Sequence, residues 1–177
     1  MSNFKERLLG AAKLDIKIYE EVEADKAAMT QAIIVVILSS LAAGIGAFGQ
    51  AGTGGLLVGT IMALIGWLVW AYITYVIGTK MLPEPQTKAN LGELLRAIGF
   101  SSTPGLIRIL GIIPGLSFLV YSVAAIWMLV AMVVAVRQAL DYHSTWRAVG
   151  VCIIGWIIQA LTIALFFSMF GGVQTPV

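Results

Sequence analysis

Long apolar runs, separated by short polar ones, set the architecture of this chain. Residues 27–48, 56–81, 98–113, 116–136 and 148–170 are almost wholly apolar. About 20 apolar residues cross the hydrocarbon core of a bilayer as a helix, so the pattern predicts five transmembrane helices. The stretch Ser101–Gln138 organises the rest. It is 38 residues long, 25 of them apolar, about the length of two crossings, and its one turn signal is Pro114-Gly115. Proline cannot continue the helical hydrogen-bond ladder and glycine permits a tight reversal. A helical hairpin follows, with arms Ile98–Ile113 and Leu116–Val136, and Pro104 predicts a kink in the first arm.

Residues 1–28 carry a different pattern. Phe4, Leu8, Leu9, Ala12, Ile16 and Tyr19 recur near helical spacing. Lys5, Arg7, Lys13 and Lys17 make the first half basic, and Glu20-Glu21-Val22-Glu23-Ala24-Asp25 makes the second acidic. Two readings fit: one amphipathic helix in the membrane interface, or a helix packed on the protein's own spans. Ser39 to Ala47 and the pair Gly55/Gly59 are rich in small residues, which let helices approach closely in lipid. Gly44, Gly46, Gly55 and Gly59 are therefore helix-packing candidates. Gln50–Gly55 reads as an uncharged loop. Asn90 and Glu93 mark the start of a short interfacial helix, with Leu91, Leu94 and Leu95 towards the membrane. Gly171 closes the last span and residues 172–177 form an uncharged tail.

Composition agrees with this class. Apolar residues make up 59% of the 177 and charged residues 11%, against about 25% charge in soluble domains. Mean hydropathy is +0.94. The fold class is all-α, a polytopic membrane helix bundle with 29–171 as its membrane domain. No basic stripe interleaved with exposed aromatics suggests nucleic acid. The single cysteine, Cys152, excludes an intrachain disulfide and a multi-cysteine metal site.

Charge sets orientation. Five basic residues precede the first span, three lie between the second and third, and two between the fourth and fifth. The alternate connections carry none. Basic residues concentrate on the cytoplasmic side, so the N-terminus is expected inside and the C-terminus outside. The eleventh basic residue, Arg108, falls within the third span.

The run Gly99-Phe100-Ser101-Ser102-Thr103-Pro104-Gly105-Leu106, continuing through Ile113-Pro114-Gly115-Leu116 and Val123-Ala124-Ala125-Ile126-Trp127, resembles the Yip family of Ypt/Rab-interacting membrane proteins. Arg147-Ala148-Val149, opening the last span, extends the likeness, and Tyr19 to Asp25 with Gln31-Ala32 is similar to its bacterial branch. The resemblance runs from about Phe4 to Phe170. It implies a five-span protein with a cytoplasmic N-terminus, here in the bacterial inner membrane. Eukaryotic members are associated with vesicle traffic, but only about 28 residues precede the first span, so a Rab-type GTPase is not an expected partner.

Arg108 is the sharpest single residue, because a charge at mid-membrane costs a few kcal/mol. No span contains Asp or Glu. Its expected partners are carbonyls near Pro104, Gln159, a water-filled cleft, a lipid phosphate or an acidic partner subunit; the alternative is a snorkelling side chain. Asp25 and Gln31 flank the first span and either meet a partner or serve the helix start. Gln159 suits an interhelical hydrogen bond. His143 with Asp141 falls short of a metal-ligand set. Ser101, Ser102 and Thr103 have no base nearby in sequence and read as helix caps. The expectation is a non-enzymatic protein without cofactor. It would act as a scaffold or accessory subunit among membrane lipids and other membrane subunits or copies of itself, or shape the bilayer. The competing reading is a small transporter or channel using the broken third span and Arg108.

Overall fold

The computed structural model describes residues 2–170, and all of their side chains except those of 48–53, 163 and 165–170. The expected tail, 172–177, and Gly171 lie outside the described residues. Helices α1 (Phe4–Ala12), α2 (Ile16–Ala24), α3 (Ala28–Gly46) and α4 (Phe48–Val76) come first, α4 ending in a widened turn, Ile77–Met81. Next are α5 (Leu91–Phe100) and a 3-10 helix (Thr103–Ile112), then α6 (Ser117–Ala139) and α7 (Thr145–Phe170). Among the described residues four segments are long and apolar enough to cross a membrane: Ala28–Gly46, Gly54–Met81, Ser117–Ala139 and Thr145–Thr162.

The N-terminal region is two helices, not one. Leu14 turns the chain with φ +61°, and the Asp15 carboxylate accepts from the Lys17 N–H to start α2. The helices run antiparallel: Ser2 bonds Glu21 at one end, and the Tyr19 hydroxyl donates to the Ala11 carbonyl at the other. The acidic–basic sequence thus folds back on itself, and α2 packs on α5 and α6.

Only Ala47 separates α3 from α4. The expected loop at Gln50–Gly55 is instead helical, beginning at Phe48. The stretch carries no proline to interrupt the helical hydrogen-bond ladder.

The expected third span, 98–113, is not a continuous α-helix. Pro104 offers no N–H and disfavours α geometry in the residue before it. α5 therefore ends at Phe100 and a 3-10 helix takes over at Thr103. Ser101 and Thr103 do not cap the new helix. Their hydroxyls donate back to the carbonyls of Ile98 (2.7 Å) and Phe100 (2.6 Å), serving the end of α5. Ten residues at a 3-10 rise cover about 20 Å. This segment runs alongside α3 in the same direction. Gly99 abuts Ala32, Arg108 bonds Ser39, and Gly111 lies against Gly46. It then reverses at Pro114-Gly115, where Gly115 has φ +83° and the Leu116 N–H donates to the Ile113 carbonyl at 3.1 Å. Proline followed by a positive-φ glycine makes this a type II turn. The second arm, α6, returns antiparallel, with Met128 against Gly105 and Tyr121 against Gly111.

Asn90 and Glu93 cap α5 reciprocally, as their spacing predicts. Its leucines differ from expectation: Leu94 is fully buried and Leu91 and Leu95 half-buried, because α2, α3, α4 and α6 surround the helix. Trp67 and Trp70 also lie inside, their indole N–H groups donating to the Leu95 carbonyl (3.1 Å) and the Met132 sulfur (3.3 Å). Tyr72 and Trp146 are exposed. On the polar side, Glu84 gathers the 141–147 connection. It accepts from the His143 N–H (3.0 Å) and pairs with Arg147 (3.4 Å).

Candidate functional site

A 3-10 helix has three residues per turn, so positions three apart stack on one line. In this segment one line is Gly105, Arg108, Gly111. The two glycines bring the backbone against its neighbours: a Cβ at Gly105 would crowd Ser39 and Met128, and one at Gly111 would lie 2.8 Å from the Tyr121 ring. Gly46 returns the approach, because a Cβ there would collide with the Arg108 carbonyl. Arg108 is the one long side chain on this line. Exposed Ile109 and Ile112 lie off it and face outward.

The guanidinium is held by oxygens. Nε donates to the Gly105 carbonyl (3.0 Å), and Nη2 donates to the Ser39 carbonyl (2.9 Å) and hydroxyl (2.8 Å). Ser39 lies eleven residues into α3, about 16 Å along its axis, so the cation is held about halfway along that helix. All nine carboxylates lie at 6–25, 84–93 and 141. Among the described residues Arg108 has neutral partners and no counter-ion.

Arg108 borders an open cavity of about 630 Å³ lined by α3, α4, α5, the 3-10 segment, α6 and α7. Ser39, Ser40, Tyr121 and Gln159 add polar groups; Trp67, Trp70, Trp156, Met128 and Met132 are among its apolar walls. The Ser40 hydroxyl bonds the Ile37 carbonyl and Thr60, and Tyr121 donates to the Ala43 carbonyl. Gln159 faces the cavity and makes no hydrogen bond among the described residues, unlike the interhelical bond expected of it. Gly44 packs on Leu56, but Gly59 makes no close approach: a Cβ there meets nothing within 4 Å. Gly55 and Gly59 both line the cavity, and α4 leaves this wall bare. The set offers one cation and several hydroxyls without a general base. No group of three or more His, Cys, Asp or Glu that could hold a metal occurs among the described residues.

Asp25 and Gln31 belong to a second cluster, near the start of α3. Arg7, 2% exposed, sits between α1 and α2. It donates to Glu21 (2.8 and 3.0 Å), Asp25 (2.7 Å) and Gln31 (2.9 Å). Asp25 also accepts from the Ala27 N–H at 2.9 Å. Both residues are thus engaged internally. Hydrogen bonds from Arg7 and Ser2 lower Glu21 to about 2, so its contribution to stability is present above 4.5 and is lost as pH falls through about 2.

Neighbouring Glu23 behaves oppositely. Burial, with the charges of Asp141, Glu93 and Glu20 outweighing Arg96, raises it to about 8. Its proton is held more tightly in the folded protein than in the unfolded chain. The stabilisation is therefore complete below 4.5 and is lost as pH rises through about 8. Thermal unfolding across that window should show a falling midpoint that Glu23→Gln flattens. An unchanged slope in the variant would assign the titration elsewhere.

Sequence reasoning missed Arg96. It is 6% exposed and donates to the carbonyls of Val22 (3.1 Å) and Glu23 (2.9 Å) at the C-terminal end of α2. Two residues from Leu94, it stands on the opposite side of α5 from the stripe of Leu91, Leu94, Leu95 and Ile98, so the apolar periodicity gave no signal for its burial.

A model of the Yip1 domain matches residues 17–167. No curated protein and no solved structure matches the chain.

Proposed function

This chain belongs to the Yip1 domain family, and we propose that within the membrane it is a non-enzymatic scaffold whose own shape deforms the bilayer. One observation carries the reading. The Trp127 indole donates to the Ala12 carbonyl at 2.8 Å, which holds the tip of the α1–α2 hairpin halfway along α6. Leu14 lies over an apolar groove of Val123, Ile126, Trp127 and Val130, while Lys13, Asp15 and Lys17 are exposed. Charged side chains belong at head-group level, with the apolar stems and Leu9 and Ile16 below it.

The lipid-facing belt is correspondingly uneven. On α6 the exposed large apolar side chains run from Phe118 to Val130, about 18 Å along the axis. Among the described residues, on α4 they run from Leu57 to Tyr72 and on α7 from Trp146 to Leu161, about 23 Å each. A hydrocarbon core of about 30 Å must thin more beside α6 than beside α4 and α7. The distribution of basic residues supports the hairpin on the cytoplasmic leaflet with an extracytoplasmic C-terminus, and the likeness of Tyr19–Asp25 to the bacterial branch of the family supports a bacterial inner membrane. The parallel course of α3 and the segment 99–111 supports a fifth crossing there. Small-residue faces and lipid-exposed helices supply the surfaces for partner subunits or further copies.

The test is vesicle shape. Protein reconstituted in one orientation should lower mean vesicle diameter or draw tubules in electron micrographs. Lys13→Leu with Lys17→Leu removes charge from the tip and should restore plain vesicles. Vesicles indifferent to the protein would sink the proposal.

A further inference from the structure

The cavity beside Arg108 has features that the bilayer-deforming role does not use. We propose that it is a binding site for one anionic phospholipid, its phosphate on Arg108 and an acyl chain along Trp67, Trp70 and Trp156. Three observations carry this independently of the N-terminal hairpin.

The first is charge. Arg108 has five N–H donors, and its Nε and Nη2 are bound by Gly105 and Ser39. Nη1 has no partner among the described residues. No Asp or Glu occurs anywhere from residue 94 to 140 or from 26 to 83, so the chain itself cannot neutralise the cation at this depth. Arginine and phosphate form strong charge-assisted hydrogen bonds, stronger still in a low-dielectric site.

The second is shape. The volume, about 630 Å³, falls within the range of small-molecule sites, about 300–1,000 Å³. It is created by what α4 withholds: Gly59 and Gly66 both face open space where side chains would fill it. The third is the lining. One cation and the Gln159 amide sit among indole rings and thioethers, which match a head group joined to a hydrocarbon tail. A water-soluble anion would leave those apolar walls uncovered.

The experiment is native mass spectrometry of the protein in mild detergent. It would be titrated with phosphatidylglycerol, with phosphatidylcholine of the same chains, and with inorganic phosphate. The first phosphatidylglycerol should bind about tenfold more tightly than phosphatidylcholine. Arg108→Gln should erase that preference. Gly59→Leu fills open space without touching the charge; it should weaken both lipids about tenfold while leaving the unfolding midpoint unchanged. Equal affinity of the native protein for the two lipids would overturn the proposal. So would a preference that survives Arg108→Gln, or lipid binding indifferent to Gly59→Leu. Inorganic phosphate binding as tightly as the lipid would make this a small-anion site instead.

Discussion

Arg96→Leu should release α2 from the bundle. The guanidinium is buried and serves two carbonyls, those of Val22 and Glu23, where α2 runs out of its own donors. Hydrogen bonds to a charged group contribute about 1.5–3 kcal/mol each. Leucine keeps the apolar stem but leaves both acceptors unpaired, so a loss of about 3 kcal/mol is expected. The effect should be local first. Amide exchange in 16–24 should accelerate well before that in α3 or α6, and the thermal midpoint in detergent should fall. Arg96→Lys should recover part of the loss, since an ammonium can still reach one carbonyl. Exchange in α2 that stays at the native rate would show that apolar packing on α5 and α6 suffices to hold it.

Gly99→Leu should be as damaging by the opposite route, by adding atoms where none fit. A Cβ at Gly99 would lie 2.7 Å from the Ala32 Cβ and 3.3 Å from the Ala32 carbonyl oxygen. The obstacle is partly backbone, which cannot swing aside. Overpacking of a filled core costs about 1–3 kcal/mol, occasionally more, and here the upper end is expected because α5 must move off α3. Gly99→Ala should cost less, about 1 kcal/mol. Unfolding midpoints in detergent would rank the three proteins. Gly59→Leu is the matched control, the same substitution facing open space. A native-like midpoint for Gly99→Leu would contradict the close contact of α3 with α5.

These residues mark how far the fold was legible. Runs of apolar residues placed the long helices because lipid demands them, and Pro114-Gly115 placed the turn because few other dipeptides reverse a chain so tightly. The break at Pro104 was visible; the helix type after it was not. Its signal, glycines three residues apart on either side of Arg108, has meaning only once neighbouring helices are known to press on that line. Arg7 and Arg96 were counted as cytoplasmic cations, which their position in the chain suggests. Arg7 nevertheless sits on an apolar stripe with Phe4, Leu8 and Ala11, where a cation must find buried oxygens; Arg96 stands opposite the leucine stripe of α5, and its burial follows only once α2 is known to pack on that side. Asp25 and Gln31 looked available because their partner, Arg7, arrives through a reversal at Leu14 that no glycine or proline announces. A cleft beside Arg108 was one expectation for an uncompensated cation, but the walls of the cavity had no sequence signal. Small residues in an apolar helix fit close packing and open space equally well, and the distinction depends on where the next helix stands.

The segment from Thr103 to Ile112 behaves as a screw thread with a pitch of three residues. Each residue advances it about 2 Å and turns it about 120°. Removing one residue ahead of Arg108 would lift everything beyond by one step and rotate the cation off its line, presenting a branched aliphatic side chain to Ser39 instead. Removing three would restore the phase and shorten the thread by about 6 Å, drawing the Pro114-Gly115 turn inward by the same distance. An α-helix has no such integer phase, so this part of the chain should tolerate length changes only in multiples of three.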